Sequence, residues 1–295
     1  MKKHKDDSGD PAMNDELLKE VCAPGVRFRE EMIPVSEKVS LRVISFSPPS
    51  KIRSPDIVFV AGWITQIDSW KAVLQEMTME HRVIYIETRE KISSQVRGKV
   101  SYGVEAMGRD IAAVVIHLKL QDDAYFLFGS SLGATAILDG YKHLKSRPRC
   151  LALIAPNAVF RIPLFWKGII LAFFPPAYFI LRPIIKWYLR TFRMNIESDR
   201  AQYEKYSRNI DAADPWKLKR AAIALWKYQV WDELKTITPP VLIVGGSKDT
   251  LHEPENLKKM VELLPNASFL DMDTNQMTHS REMVLKLWVF VDACS

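Results

Sequence analysis

Residues 125–144 read YFLFGSSLGATAILDGYKHL. Tyr125 to Phe128 is a short, continuous apolar run, the pattern of a strand buried on both faces. Ala134 to Leu144 carries helix-forming residues. Between them stands Gly129-Ser130-Ser131-Leu132-Gly133. A strand, a sharp turn and a helix in that order present the central serine at a strained, exposed tip. Flanking glycines remove side chains that would collide there. The helix begins at the serine, so its first N–H groups favour negative charge developing beside it. Ser131 is therefore the candidate nucleophile.

Working outward, the same alternation recurs on both sides. Upstream, Val39 to Phe46 alternates apolar and polar residues as an outer strand does, and Pro48-Pro49 stops it. Ile57 to Ala61 and Arg82 to Ile86 read as buried strands, and Ser69 to Met79 as a helix. Gly103 to Leu118 places Val104, Met107, Ile111, Val114, Val115 and Leu118 on one helical face. Downstream, Cys150 to Ile154, Val241 to Val244 and Ser268 to Met272 read as strands; Glu255 to Leu264 and Glu282 to Val291 read as helices. Alternating elements with short apolar strands predict an α/β fold, a mostly parallel sheet with helices on both faces.

The gap from Ile154 to Val241 exceeds what a simple crossover needs and predicts an inserted helical cap. The expected division is a flexible tail over 1–27, a core of 28–156 and 234–295, and a cap over 157–233. The chain of 295 residues has 41 Lys plus Arg and 35 Asp plus Glu, a net of +6. Residues 157–233 hold 13 of the basic and 7 of the acidic residues, so the insertion alone accounts for the excess. It also holds five of the eight tryptophans: Trp166, Trp187, Trp216, Trp226 and Trp231. The basic residues are interleaved with bulky aliphatics and no nucleic-acid-binding motif accompanies them, which argues against a nucleic-acid partner.

Three scattered cysteines, Cys22, Cys150 and Cys294, support neither a disulfide framework nor a metal site, and they point to a reducing, cytoplasmic compartment. No apolar leader opens the chain. No Gly-rich phosphate loop occurs, so the sequence implies no metal or other cofactor.

A serine nucleophile needs a base, and the base an orienting acid. His4 falls in the tail, and His81, His117 and His143 read as surface residues. His252 follows the strand at Val241–Val244. His279 lies in the polar loop Thr274 to Ser280, between the last strand and the last helix, where it can reach over the sheet edge. Asp249 leaves the carboxyl end of the strand at Val241–Val244, where α/β sheets place their sites; Asp271 and Asp273 are the alternatives. The favoured chain order is Ser131, Asp249, His279.

Taken together these stretches resemble the α/β-hydrolase superfamily with an inserted cap. Ala61-Gly62-Trp63 is similar to its oxyanion loop, Glu87 through Ser93 stands in the place of its D-x-R-G-x-G-x-S segment, Pro239 through Asp249 resembles its strand and acid loop, and Thr278-His279-Ser280 its histidine loop. The resemblance implies a triad of Ser131, Asp249 and His279, with an oxyanion hole from the N–H groups of Leu132 and Trp63. Where the superfamily often has His-Gly, this chain has Ala61-Gly62, and the loop around Glu90 lacks the usual glycines. A serine at position 131 disfavours dehalogenase or epoxide-hydrolase chemistry, which uses a carboxylate nucleophile.

Residues 162–181, IPLFWKGIILAFFPPAYFIL, hold one charge, yet Pro175-Pro176 interrupts any spanning helix. Arg182, Lys186 and Arg190 then form a basic stripe beside aromatics, as interfacial membrane helices do. The expected function is hydrolysis of a small carboxylic ester or thioester with an apolar acyl group, by a carboxylesterase- or lipase-like serine enzyme working through an acyl-enzyme. The pocket candidates are Trp166, Phe173, Phe174 and Trp187, with peripheral membrane contact through the cap. The alternatives are acyl transfer at the same site and a non-catalytic binding protein with a membrane-facing cap.

Overall fold

The computed structural model describes residues 11–49, 52–161, 164–172, 174–193, 200–249 and 254–294. Its centre is a nine-stranded sheet, with β1 (Arg27–Ser36), β2 (Val39–Ser47), β3 (Arg53–Val60), β4 (His81–Ile86), β5 (Gln95–Val96), β6 (Tyr125–Ser130), β7 (Leu151–Ile154), β8 (Val241–Gly245) and β9 (Ala267–Asp271). The order is β1-β2-β4-β3-β6-β7-β8-β9, and β5 pairs with β2. From β4 through β9 every pairing is parallel; β1 and β2 are antiparallel additions.

Side-chain alternation in the strands explains the layers. Val58, Val60 and Leu127 face a core built with α3 (Val104–His117), α4 (Leu132–Gly140) and α9 (Pro254–Leu263). Ile57, Phe59, Phe126 and Phe128 face the opposite core, built with α1 (Pro11–Val21), α2 (Lys71–Met77) and α10 (Arg281–Ala293). Both sets are fully buried, which is why these strands read as continuous apolar runs.

Three expectations change. The segment 1–27 is not a tail throughout, because α1 packs against α2 and joins the core on that side of the sheet. Leu18 and Val21 are buried, and the Ala23 N–H donates to Thr78 Oγ1 at 2.9 Å. A single apolar stripe among charges hid this helix; burying such side chains is worth about 1.5–3 kcal/mol each. Second, β2 is not an outer strand. β1 covers it, and β1 escaped notice because only Ile33 of RFREEMIPVS is buried. Third, His81 is buried, its Nδ1 2.9 Å from Pro55 O and its ring stacked on Trp288 at 4.4 Å; burial pulls its pKa down.

The insertion between β7 and β8 is helical, with α5 (Leu164–Ala172), α6 (Tyr178–Tyr188), α7 (Arg200–Asp211) and α8 (Pro215–Leu225). A 3₁₀ turn at Pro175–Ala177 separates α5 from α6, so proline breaks the apolar run as expected. Among the described residues no helix is long and apolar enough to cross a membrane.

Candidate active site

β6 ends at Ser130 and α4 starts at Leu132, leaving Ser131 alone at the turn with φ 50° and ψ −115°. A non-glycine residue there holds roughly 1–3 kcal/mol of strain. The fold holds it in place through the Ser131 N–H, which donates to Ile154 O at 2.8 Å. The Ser131 carbonyl accepts from both the N–H and the hydroxyl of Thr135, each at 3.0 Å. The flanking glycines are required by close approach. A Cβ on Gly129 would stand 2.7 Å from Ala134 Cα, and one on Gly133 2.5 Å from Ala61 O. The side chain of Asn157, just past β7, donates from Nδ2 to Ser131 Oγ at 2.8 Å.

The loop after β3 lies against this turn. A Cβ placed on Gly62 would meet Ser131 Cβ at 3.4 Å. Among the described residues neither the Trp63 N–H nor the Leu132 N–H has an acceptor. Leu132 is the first residue of α4, where an N–H has no partner within the helix. Two N–H groups without an acceptor among the described residues, one at the start of α4 and one in the loop after β3, both next to a strained serine, are what an oxyanion site requires.

Asp249 lies in the loop after β8, with its N–H donating to Gly246 O at 3.0 Å, and it is buried. Asn275 Nδ2 donates to Asp249 Oδ2 at 2.9 Å. The Asn275 carbonyl lies 3.0 Å from His279 Nδ1, and Thr278 Oγ1 lies 3.0 Å from the same nitrogen. A proton on Nδ1 satisfies that carbonyl and leaves Nε2 as the acceptor, the tautomer a general base needs. The imidazole stacks on Trp70 at 4.2 Å, and Trp70 meets Phe128 of β6 edge-on at 5.9 Å. The histidine is thus seated against the strand that carries the serine. Asp271 and Asp273 are exposed: Asp271 Oδ1 accepts from the N–H groups of Ser247 and Asp273, and those bonds hold its pKa down. Asp273 lies 3.7 Å from Lys248. His252 lies outside the described residues.

Under the cap, beside Trp63 and Ile64, is an apolar cavity of about 360 Å³. Ile169 and Ile170 of α5, Leu181 and Ile185 of α6, Ile210 of α7 and Leu218 of α8 line it. Of the expected pocket residues, Phe174 and Trp187 are elsewhere. Phe174 is 64% exposed and meets Trp216, while Trp187 is 56% exposed and meets Phe192. Phe173 lies outside the described residues, and so does the side chain of Trp166. Sequence reasoning missed the aliphatic lining because no local feature marks which face of a wholly apolar helix turns inward. It also missed Asn157, Asn275 and Trp70, which gain their roles only through tertiary contact. Among the described residues no cluster of three or more His, Cys, Asp or Glu could hold a metal.

Residues 92–280 match the profile of the family described as serine aminopeptidase, S33. No curated protein matches the chain significantly. Solved structures match extensively at low identity. A hydrolase from Pseudomonas aeruginosa PA01 is 18% identical with a TM-score of 0.71, over 90% of this chain and 96% of that one. A thermophilic esterase from Thermogutta terrifontis gives 19% and 0.69, over 89% and 98%. The enol-lactonase from Burkholderia xenovorans LB400 gives 16% and 0.69, over 85% and 96%. At such identity these likenesses establish the shared fold.

Proposed function

This chain belongs to the serine aminopeptidase S33 family, with the α/β-hydrolase fold, and we propose that it is a serine hydrolase cleaving carboxylic esters or thioesters that carry an apolar acyl group. Ser131 Oγ attacks the carbonyl carbon. His279 Nε2 takes the hydroxyl proton and returns it to the leaving group, and Asp249 stabilises the imidazolium with Asn275 between their loops. The N–H groups of Leu132 and Trp63 receive the oxyanion. The acyl-enzyme is then hydrolysed by water activated at the same histidine. The observation that carries this reading is the strained Ser131, flanked in the chain and across the sheet by the Leu132 and Trp63 N–H groups, which lack acceptors among the described residues, with an apolar cavity bordered by Trp63 and Ile64. A cavity of that volume suits a small or mid-sized ligand, and its largely apolar walls, aliphatic and aromatic, favour an acyl chain over a polar peptide terminus.

We also assign the cap a peripheral membrane contact from a reducing compartment. Leu164, Ile180 and Phe165 are 83%, 76% and 72% exposed, and exposed apolar side chains recur along the cap at Phe174, Phe179, Ile184 and Phe192, the kind of surface that marks an interaction site. The basic stripe contributes less than its sequence suggests. Arg182 and Lys186 both bond to Asp211 of α7, so those two cations brace the cap.

A fluorophosphonate probe and a series of p-nitrophenyl esters test the enzymatic reading. The wild type should be labelled and should turn over butyryl to octanoyl esters faster than acetyl. Ser131→Ala should abolish labelling, His279→Ala should lower turnover by at least about 10⁴-fold, and Asp249→Asn should lower it less. A folded wild type that is neither labelled nor active would favour a binding protein.

A further inference from the structure

Among the described residues Lys91 is the most deeply enclosed cation beside the site. Its side chain is 3% exposed, and its Nζ donates to Gly62 O at 2.5 Å. The nearest carboxylate, Glu90, lies 3.5 Å away, is itself fully buried and accepts from Thr88 Oγ1 at 2.8 Å. Glu90 Oε2 has no partner among the described residues. Burying an ammonium beside an imperfectly paired carboxylate is costly; an apolar pair of similar volume would often be as stable. Burial accordingly pulls the Lys91 pKa down. Stability is therefore a poor reason for this lysine.

Its placement supplies a better one. Gly62 O and the Trp63 N–H belong to one peptide unit. That peptide is not among the cis bonds of the chain. In a trans peptide the carbonyl and the N–H point in opposite directions. A cation fixed on the carbonyl side therefore turns the N–H away from Lys91. Hydrogen bonds in chains polarise one another, so the same contact also strengthens that N–H as a donor. The usual histidine is replaced by Ala61, which has no polar group to brace this loop.

We infer that Lys91 is the positioning residue of the oxyanion hole, its ammonium on Gly62 O aligning and polarising the peptide that presents the Trp63 N–H. The inference rests on the proposed serine mechanism. The cap reaches the same point, because Lys217 of α8 donates from Nζ to the carbonyls of Lys91 and Ser94 at 2.5 and 2.6 Å. Cap and oxyanion loop thus share one brace.

The test compares wild type, Lys91→Met, Lys91→Arg and the double variant Glu90→Gln/Lys91→Met on a butyryl ester. Lys91→Met should lower kcat by about 10- to 100-fold with KM within about threefold, less than the full loss of an oxyanion donor. Lys91→Arg should recover part of it. Affinity for an alkyl trifluoromethyl ketone, whose adduct carries the oxyanion, should fall by the same factor as kcat/KM. Affinity for the matching unreactive ether should not change. The double variant leaves no lone buried carboxylate and should stay slow. Recovery of wild-type kcat in the double variant would mean that Glu90 had been the cause, and would overturn the inference. So would an active wild type whose kcat or ketone affinity is unmoved by Lys91→Met. A wild type inactive towards both ester and fluorophosphonate would instead overturn the serine mechanism itself.

Discussion

In the sheet, Phe126 and Phe128 are fully buried; in α6 of the cap, Phe179 and Ile180 are 53% and 76% exposed. Both regions use bulky apolar side chains, but in the core two helical layers close over them. The cap has one inner layer, spent on the cavity beside Trp63, and an outer face whose bulky apolar side chains are exposed among the described residues. Apolar residues in the core secure position, and the elbow needs that security to hold Ser131 in its strained conformation. In the proposed function those in the cap would take up the acyl chain on one side and meet a membrane surface on the other.

The comparison can be broken first at the glycines, where the largest effect is expected. Gly133→Ala places a Cβ against the carbonyl oxygens of Val60 and Ala61, backbone atoms of the adjoining strand and loop that cannot move independently. Overpacking of this kind costs about 1–3 kcal/mol, occasionally more. Circular dichroism melts should show a large fall in Tm or no cooperative fold. An unchanged Tm would mean that the elbow is held less tightly than these contacts imply.

That tightness also decides what was legible in the sequence. The residues at the elbow must be glycine, serine and glycine whatever surrounds them, so the pattern reads directly. The central strands, apolar on both faces, read as well. The elements that failed were those whose pattern is diluted: α1, where one apolar stripe runs between charges, and β1, with a single buried residue. At the site, Asp249 and His279 were proposed from the sequence because each follows a strand end. Asn275, Trp70 and Lys91 were not, because an amide, an indole and an ammonium have no spacing that announces a contact made across the fold. In the cap the composition was plain but the orientation was not, so Phe174 and Trp187 were expected in a pocket that other residues line instead, aliphatic ones with Tyr178, Tyr188 and Tyr206.

The second comparison is between the two faces of the cap. Co-sedimentation with anionic vesicles should be substantial and should fall only modestly from low to physiological salt. The apolar term is insensitive to salt, whereas each unpaired Lys or Arg near the surface adds about 1 kcal/mol that is screened. Replacing Phe165 and Ile180 by Ser should reduce binding more than Arg190→Glu does, and should leave turnover of a soluble butyryl ester intact. Binding that vanishes at physiological salt would show that charge, not the exposed apolar face, makes the contact.

The smallest effect concerns Gly168, inside α5. A Cβ there would meet nothing within 4 Å. Glycine in a helix interior costs about 0.5–1 kcal/mol relative to alanine, through the backbone freedom it retains when unfolded. Gly168→Ala should therefore stabilise α5 by that amount, the opposite sign from Gly133→Ala. Where the gain appears matters more than its size. The polar contacts of α7 and α8 with the core include Asn209 Oδ1 accepting from the Gln66 N–H at 3.0 Å, the Arg208–Asp68 pair at 3.3 Å and the Lys217 bonds. Regions so joined open in separate steps. Amide exchange should slow across α5, while β6 and α4 keep their wild-type rates. Slowing in both regions would show that cap and core open as one unit, and that the inner wall of the cavity shares the rigidity of the elbow beneath it.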